Sequence, residues 1–166
     1  LTTGQTVLIH GAAGGVGSVA VQLAREAGAH VIGTGRAADR DRALALGADA
    51  FVDLDTEKLE DAGDVDLLLD VIGGDILARS TALVREGGTV VTIAEPPEVF
   101  PRNGRALFFV VEPDRAQLIE LATRVRDGRL KPVVGAVRPL AEAVAAFAPD
   151  KRIPGKTIIQ ITEQPR

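Results

Sequence analysis

Apolar positions along this chain recur with two alternating periods. Short apolar runs at Thr6–His10, His30–Thr34, Ala50–Val52, Val65–Val71, Thr89–Ala94 and Ala106–Val111 have the length and composition of buried strands. Between them apolar residues return at helical spacing. Val16, Val19, Ala20, Leu23, Ala24 and Ala27 share one helical face, with Arg25 and Glu26 toward water and Gly28 as a C-terminal stop. Helices are predicted from Gly15, Asp39, Asp75 and Pro113. Strand and helix alternate without repeats or long linkers, the pattern of an α/β, doubly wound parallel sheet of six strands whose ligand lies at the carboxyl ends. Beyond Arg129 the pattern changes. Pro132-Val133-Val134 leads to a helix over Leu140–Phe147 and a strand near Lys156–Ile161, a helix-strand tail that the sheet does not need. The chain therefore divides into residues 1–132 and 133–166.

The first strand turns through glycines directly into the first helix, in Val7-Leu8-Ile9-His10-Gly11-Ala12-Ala13-Gly14-Gly15-Val16-Gly17-Ser18. Backbone at Gly14 and Gly15 can approach a ligand that a side chain would block. The free N–H groups that open the helix, from Ala13 to Val16, point at the ligand's charge. Gly14 and Gly17 match the second and third glycines of the dinucleotide fingerprint, while Ala12 occupies the first position. Strand, glycine turn, helix and strand together form the βαβ unit of a Rossmann fold.

The second strand ends in Gly33-Thr34-Gly35-Arg36. An acid at its end would bond the ribose hydroxyls of NAD and repel a 2′-phosphate. Gly35 stands there instead, no acid follows before Asp39, and Arg36 offers a fork of donors. This predicts NADPH as cofactor, with Arg36 and Thr34 ahead of Arg40 and Arg42 as contacts. A solvated loop arginine is the plainer role for Arg36. Ile72 and Gly73, closing the fourth strand, and Ile93 and Ala94, closing the fifth, are expected to wall the same cleft. Gly73 and Gly74 also suit a plain strand-to-helix turn with Asp75 as N-cap. Phe108 and Phe109 belong either to the nicotinamide pocket or to core and subunit interface.

Composition narrows the classes further. The 166 residues, 46% of them apolar, suffice for one domain with its own core. A net charge of −4 offers no basic face for nucleic acid, and no apolar run is long enough for a bilayer. With no cysteine there is neither disulfide nor thiolate chemistry, and without a signal-like start the cytoplasm is the expected location. The absence of tyrosine excludes the Tyr-Lys proton donor of short-chain dehydrogenases. The chain opens at Leu1, lacks methionine and reaches a strand almost at once, so it is expected to be a piece of a longer protein.

The glycine turn, Ala43-Leu44-Ala45-Leu46-Gly47-Ala48-Asp49, Asp70-Val71-Ile72-Gly73-Gly74, Phe108-Phe109-Val110-Val111-Glu112-Pro113-Asp114, Gly128-Arg129-Leu130-Lys131-Pro132 and Pro139-Leu140-Ala141-Glu142-Ala143 follow one another in an order that resembles the cofactor-binding domain of medium-chain dehydrogenase/reductases, in their quinone-oxidoreductase-like branch. The resemblance implies an NADPH-dependent oxidoreductase passing hydride to a small-molecule substrate: a quinone, enone or similar activated carbonyl compound. It further implies a missing N-terminal GroES-like domain that residues 133–166 would rejoin, and a homodimer formed through the sheet edge at Ala106–Val111. Some members bind zinc. Here no cysteine ligand exists, and His10 and His30 fall at opposite edges of the sheet, so no metal is expected. No residue is assigned as a catalytic group.

Two other readings compete with this one. A stand-alone NADPH-binding or sensing module would bind cofactor without turnover. A methyltransferase would want an acid where Gly35 and Arg36 stand, and a phosphate-transferring enzyme would want the Lys-Ser/Thr pair that this turn lacks.

Overall fold

Alternate residues of each strand serve opposite faces of one sheet. Val7 and Ile9 pack with Val31 and Phe51 under one set of helices, while Leu8, Ile32, Val52 and Leu68 pack under the other. Both faces are thus buried. The computed structural model of the chain describes residues 1–147 and 153–162. Its elements are β1 (Thr6–Ile9), α1 (Gly17–Glu26), β2 (His30–Gly35), α2 (Arg40–Leu46), β3 (Ala50–Asp53), β4 (Val65–Asp70), α3 (Gly74–Thr81), β5 (Val84–Thr92), β6 (Arg105–Phe108), α4 (Arg115–Arg126), β7 (Val134–Pro139), α5 (Ala143–Ala146) and β8 (Lys156–Gln160). The six-stranded sheet runs β3-β2-β1-β4-β5-β6 with every pairing parallel. The chain winds outward from β1 in one direction, then returns to β4 and winds the other way. That reversal lies between β1 and β4, the place where such sheets open a ligand crevice.

The expected α/β sheet is present, and the differences have local causes. β5 starts at Val84 rather than Thr89, and the polar run Arg85-Glu86-Gly87-Gly88 within it lies against a break in register with β4 between Val65 and Leu67. α1 starts at Gly17 rather than Gly15 because Gly11 folds the preceding residues into a turn, Gly14 N–H to Gly11 O at 2.8 Å. α2 is preceded by a 3₁₀ turn over Ala37–Asp39. Asp114, accepting the Gln117 N–H at 2.9 Å, sets the start of α4.

The expected helix over Leu140–Phe147 is a 3₁₀ turn, Leu140–Glu142, followed by the single turn α5. The tail also holds an unforeseen strand, β7, which pairs in parallel with β8 as a separate two-stranded sheet. Its residues 148–152 and 163–166 lie outside the described residues. Among the described residues no helix is long and apolar enough to cross a membrane.

Candidate functional site at the carboxyl ends of the strands

The loop after β1 is shaped by its glycines. Gly11 turns the chain at φ +61°, and a side chain at Gly17 would collide with the backbone of Gly11 and Ala12, so only glycine lets α1 start this close to the turn. Ser18 and Ala20 donate to Gly14 O and Val16 O, each at 3.0 Å. The N–H groups of Gly15, Val16 and Gly17 have no acceptor among the described residues, and the first turn of α1 carries neither an acid nor a side-chain cap. Ala13 is buried, while Gly14, Gly15 and Val16 face water. The positive end of α1 therefore stands open at the switch point, a fit for an anionic group.

The neighbouring turn, after β4, is closed. The Asp70 carboxylate accepts from the Ile72 N–H at 3.1 Å, from the Gly73 N–H at 3.1 Å and from the Thr92 hydroxyl at 2.8 Å. Thr92 Oγ1 in turn accepts the Ala94 N–H at 3.2 Å, and Glu95 accepts the Gly74 N–H at 2.6 Å. One buried carboxylate thus fixes the ends of β4 and β5 together. Ile72 and Ala94 are exposed on them, Ile93 is half-buried, and Gly73 holds φ +80°.

At the end of β2, Gly35 is half-buried and Arg36 is exposed. Arg40 is paired with Glu57 at 2.7 Å and Arg42 with Asp39 at 3.3 Å, whereas Arg36 has no carboxylate at ion-pair distance among the described residues. Thr34 is buried with its hydroxyl against His10, so it does not reach the surface beside Arg36. Asp53, in register with Gly35, is also buried. Thr56 donates its hydroxyl to this carboxylate at 2.8 Å and Asp55 its N–H at 3.1 Å, and these bonds hold its pKa below the ordinary value. The acid nearest that strand end is Asp39, half-buried, whose Oδ2 lies 3.5 Å from the place a side-chain carbon on Gly35 would occupy and whose carboxylate is paired with Arg42.

Phe108, the last residue of β6, and Phe109 after it are about half exposed and line an open hollow of about 610 Å³ with Val110 and Gln117. A second hollow, of about 590 Å³, lies between Gly74, Ala78, Glu95 and Val99. In strand order the crest reads Arg36, then Gly14 and Gly15, then Ile72 and Gly73, then Ile93 and Ala94, then Phe108 and Phe109. With strands about 4.8 Å apart, it spans about 19 Å. The site residues expected from the sequence thus lie along the carboxyl ends of the strands, with the open helix end between Arg36 and the turn after β4.

Under the crest His10 is the polar strand-end residue its position suggests, but it sits in a buried network that the sequence did not reveal. Ser80 donates to Ile76 O at 2.7 Å, so its oxygen accepts from His10 Nε2–H at 2.8 Å, and His10 Nδ1 accepts the Thr34 hydroxyl at 3.1 Å. Burial lowers the His10 pKa to about 4, against the attraction of Asp70. The imidazole is neutral, with both nitrogens occupied. Asp70 had a visible signal: it is the charged residue that ends the apolar run Leu67-Leu68-Leu69.

The residues do not fit zinc. His10 is committed as described, and His30 stands at the opposite end of the strands, paired with Asp49 at 3.4 Å. There is no cysteine, and among the described residues no group of three or more His, Asp or Glu side chains comes together.

A family model described as zinc-binding dehydrogenase matches residues 46–159. The 2-methylene-furan-3-one reductase of Solanum lycopersicum is 32% identical over 95% of the chain and 41% of its own length. The quinone oxidoreductase from Coxiella burnetii superposes with a TM-score of 0.83 at 28% identity, over 97% of this chain and 54% of that one. The quinone oxidoreductase from Thermus thermophilus, whose structures include a complex with NADPH, gives 0.74 at 34% identity, over 88% and 54%. The chain spans about half the length of these relatives, or less. The family match begins beyond the glycine loop, so loop and match are separate observations that agree: the chain belongs to the zinc-binding dehydrogenases of the medium-chain dehydrogenase/reductase superfamily, in the quinone-oxidoreductase-like branch.

Proposed function

We propose that this chain is the cofactor-binding part of an NADPH-dependent oxidoreductase that passes a hydride to a quinone, an enone or a similarly activated carbonyl compound. The observation that carries the cofactor choice is Arg36, an exposed guanidinium with no carboxylate partner among the described residues, at a strand end whose nearby acid, Asp39, is already paired with Arg42. The furanone reductase and quinone oxidoreductase relatives support the substrate class, and the Thermus thermophilus complex with NADPH supports the cofactor. In this reading the N–H groups of Gly15 and Val16 hold the pyrophosphate and Arg36 the 2′-phosphate. Ile72, Gly73, Ile93, Ala94, Phe108 and Phe109 wall the nicotinamide end.

NADPH, when bound, supplies the hydride. The chain's own work is positional: Asp70 and Thr92 keep the ends of β4 and β5 in register, so that a ring lying on them meets its acceptor in one orientation. His10 has neither a proton nor a lone pair to give. Residues 133–166 are proposed to join this part to a substrate-side domain.

A second reading is cofactor binding without turnover. It is favoured by two side chains near the crest being engaged elsewhere, His10 with Ser80 and Thr34, and Glu95 with the Gly74 N–H. Oxidation of NADPH in the presence of a quinone separates the two readings.

The sheet edge completes the proposal with a homodimer. On the opposite edge β3 is blocked by side chains of flanking segments, since Arg40 of α2 donates to Phe51 O at 3.0 Å and Glu57, after the strand, accepts the Asp53 N–H at 2.6 Å. Nothing among the described residues blocks β6 in this way.

Calorimetric titration with NADPH and with NADH tests the cofactor. A charge-assisted fork is expected to favour NADPH by about 1.5–3 kcal/mol, about tenfold or more, and Arg36→Ala to remove that preference. Equal affinities for the two cofactors would sink the role given to Arg36.

A further inference from the structure

The chain contains one asparagine, Asn103, and Gly104 follows it. Among the described residues Asn103 is also the only one other than glycine with a positive φ, at +49°. It is exposed, in a turn that the Gly104 N–H closes onto Pro101 O at 3.1 Å. Its place in that turn demands a left-handed backbone, which glycine and asparagine tolerate best. Gly104 is fixed by packing, because a side chain there would run into Gly88 O and would lie 2.8 Å from Pro101 Cγ. The fold thus retains an Asn-Gly pair at a surface turn.

This pair is chemically reactive, since nothing on Gly104 keeps its backbone nitrogen from the Asn103 side chain. That nitrogen, after losing its proton, attacks Asn103 Cγ. The new N–Cγ bond closes a cyclic imide, the Cγ–Nδ2 bond breaks, and ammonia leaves with the proton. Water then opens the imide. Cleavage of N–Cγ leaves aspartate, while cleavage between the nitrogen and the Asn103 backbone carbonyl leaves isoaspartate, whose main chain runs through the former side chain. Water is the only co-reactant.

The surroundings make the product costly. Asn103 Nδ2 donates to Glu86 Oε1 at 2.5 Å, and the Gly87 N–H donates to Arg102 O at 2.9 Å. These bonds tie the turn to β5, just ahead of the pairing of Thr89 with Arg105 that starts β6. Conversion removes the amide donor and sets a second carboxylate against Glu86, so attraction becomes repulsion. The bonds lie at the surface beside an edge strand, where local opening is frequent; they slow the reaction without stopping it.

We propose that Asn103 is a site of spontaneous deamidation in the folded protein, and that its product releases the start of β6 from β5. The modification is independent of any cofactor.

The experiment ages the purified chain in mildly acidic and in mildly alkaline buffer and follows it by peptide mass mapping. Asn103→Gly, which keeps the turn and lacks the amide, is aged beside it. The wild type is expected to gain the mass of an amide-to-acid change in the peptide holding Asn103, faster in proportion to hydroxide, with isoaspartate among the products. Asn103→Gly gains none there. Hydrogen exchange over 105–108 is expected to be about tenfold faster in the aged wild type and in Asn103→Asp than in fresh protein, with β1 and β2 unchanged. An Asn103 that stays unconverted in the folded chain, while the same chain converts in urea, would overturn the site by showing that the turn protects it. Conversion without faster exchange over 105–108 would overturn the release of β6.

Discussion

His10 is a titratable group kept neutral by its surroundings, and this ties the site to the stability of the fold. Its folded-state pKa of about 4 lies below the ordinary 6.5. As pH falls below 6.5 the unfolded chain takes up a proton that the folded chain refuses, so stability is lost progressively down to about pH 4. From pH 7 to pH 5 this costs about 2 kcal/mol. Glu26, Glu57 and Glu60 also have lowered pKa values, through bonds to Arg124, to the Asp53 N–H and to Arg79, but their effect begins only as pH falls through the ordinary value of 4.5 and grows below it. Urea unfolding of wild type and His10→Gln at pH 7 and pH 5 isolates the imidazole. The wild type is expected to lose about 2 kcal/mol and the variant little; identical losses in both would place the proton uptake elsewhere.

Gly17 gives a second residue-scale test. Gly17→Ala must push α1 off the Gly11–Ala12 backbone, an overpacking cost of about 1–3 kcal/mol in thermal unfolding. NADPH binding should weaken with it. Unchanged stability would mean that the close approach of helix to turn is not needed.

At the scale of elements, what was legible in the sequence follows from burial. β1 and β2 announce themselves because their residues are buried on both faces, leaving apolar runs between breaks. β7, Val-Gly-Ala-Val-Arg-Pro, is exposed at nearly every position and ends in a proline, so it carries no period to read and exists only because β8 lies beside it. The crest residues could be read because each follows its strand directly. The His10 network could not, since its partners Thr34 and Ser80 lie 24 and 70 residues away.

That the C-terminal segment hangs from α1 by Gln22 gives an element-scale prediction. Gln22→Ala removes both bonds to Lys131, and hydrogen exchange is expected to speed up over 130–139 and 156–160. β1 to β5 should keep their protection. Uniform loosening of the whole chain, or none, would show that the bridge is not what holds the segment.

For the whole molecule the open question is what covers β6. Leu107 and Phe108 are 49% and 43% exposed on it, Val110 and Val111 beyond it are 66% and 79% exposed, and Leu118 and Ile119 of α4 are 67% and 56% exposed. Apolar side chains of this size on a free strand edge mark an interface. Two copies related by a twofold axis can lay β6 against β6, each edge supplying what the other lacks. A lysine on the mating surface would leave a charge without a partner there, so Leu107→Lys is expected to raise the dimer dissociation constant at least tenfold, as measured by sedimentation equilibrium. Val137→Lys, on the exposed β7, serves as the control and should leave it unchanged. A wild type that sediments as a 17.3 kDa monomer at all concentrations would remove the edge from the dimer proposal. The apolar band would then have to belong to contact with another domain, and Leu107→Lys would be expected to weaken that contact instead.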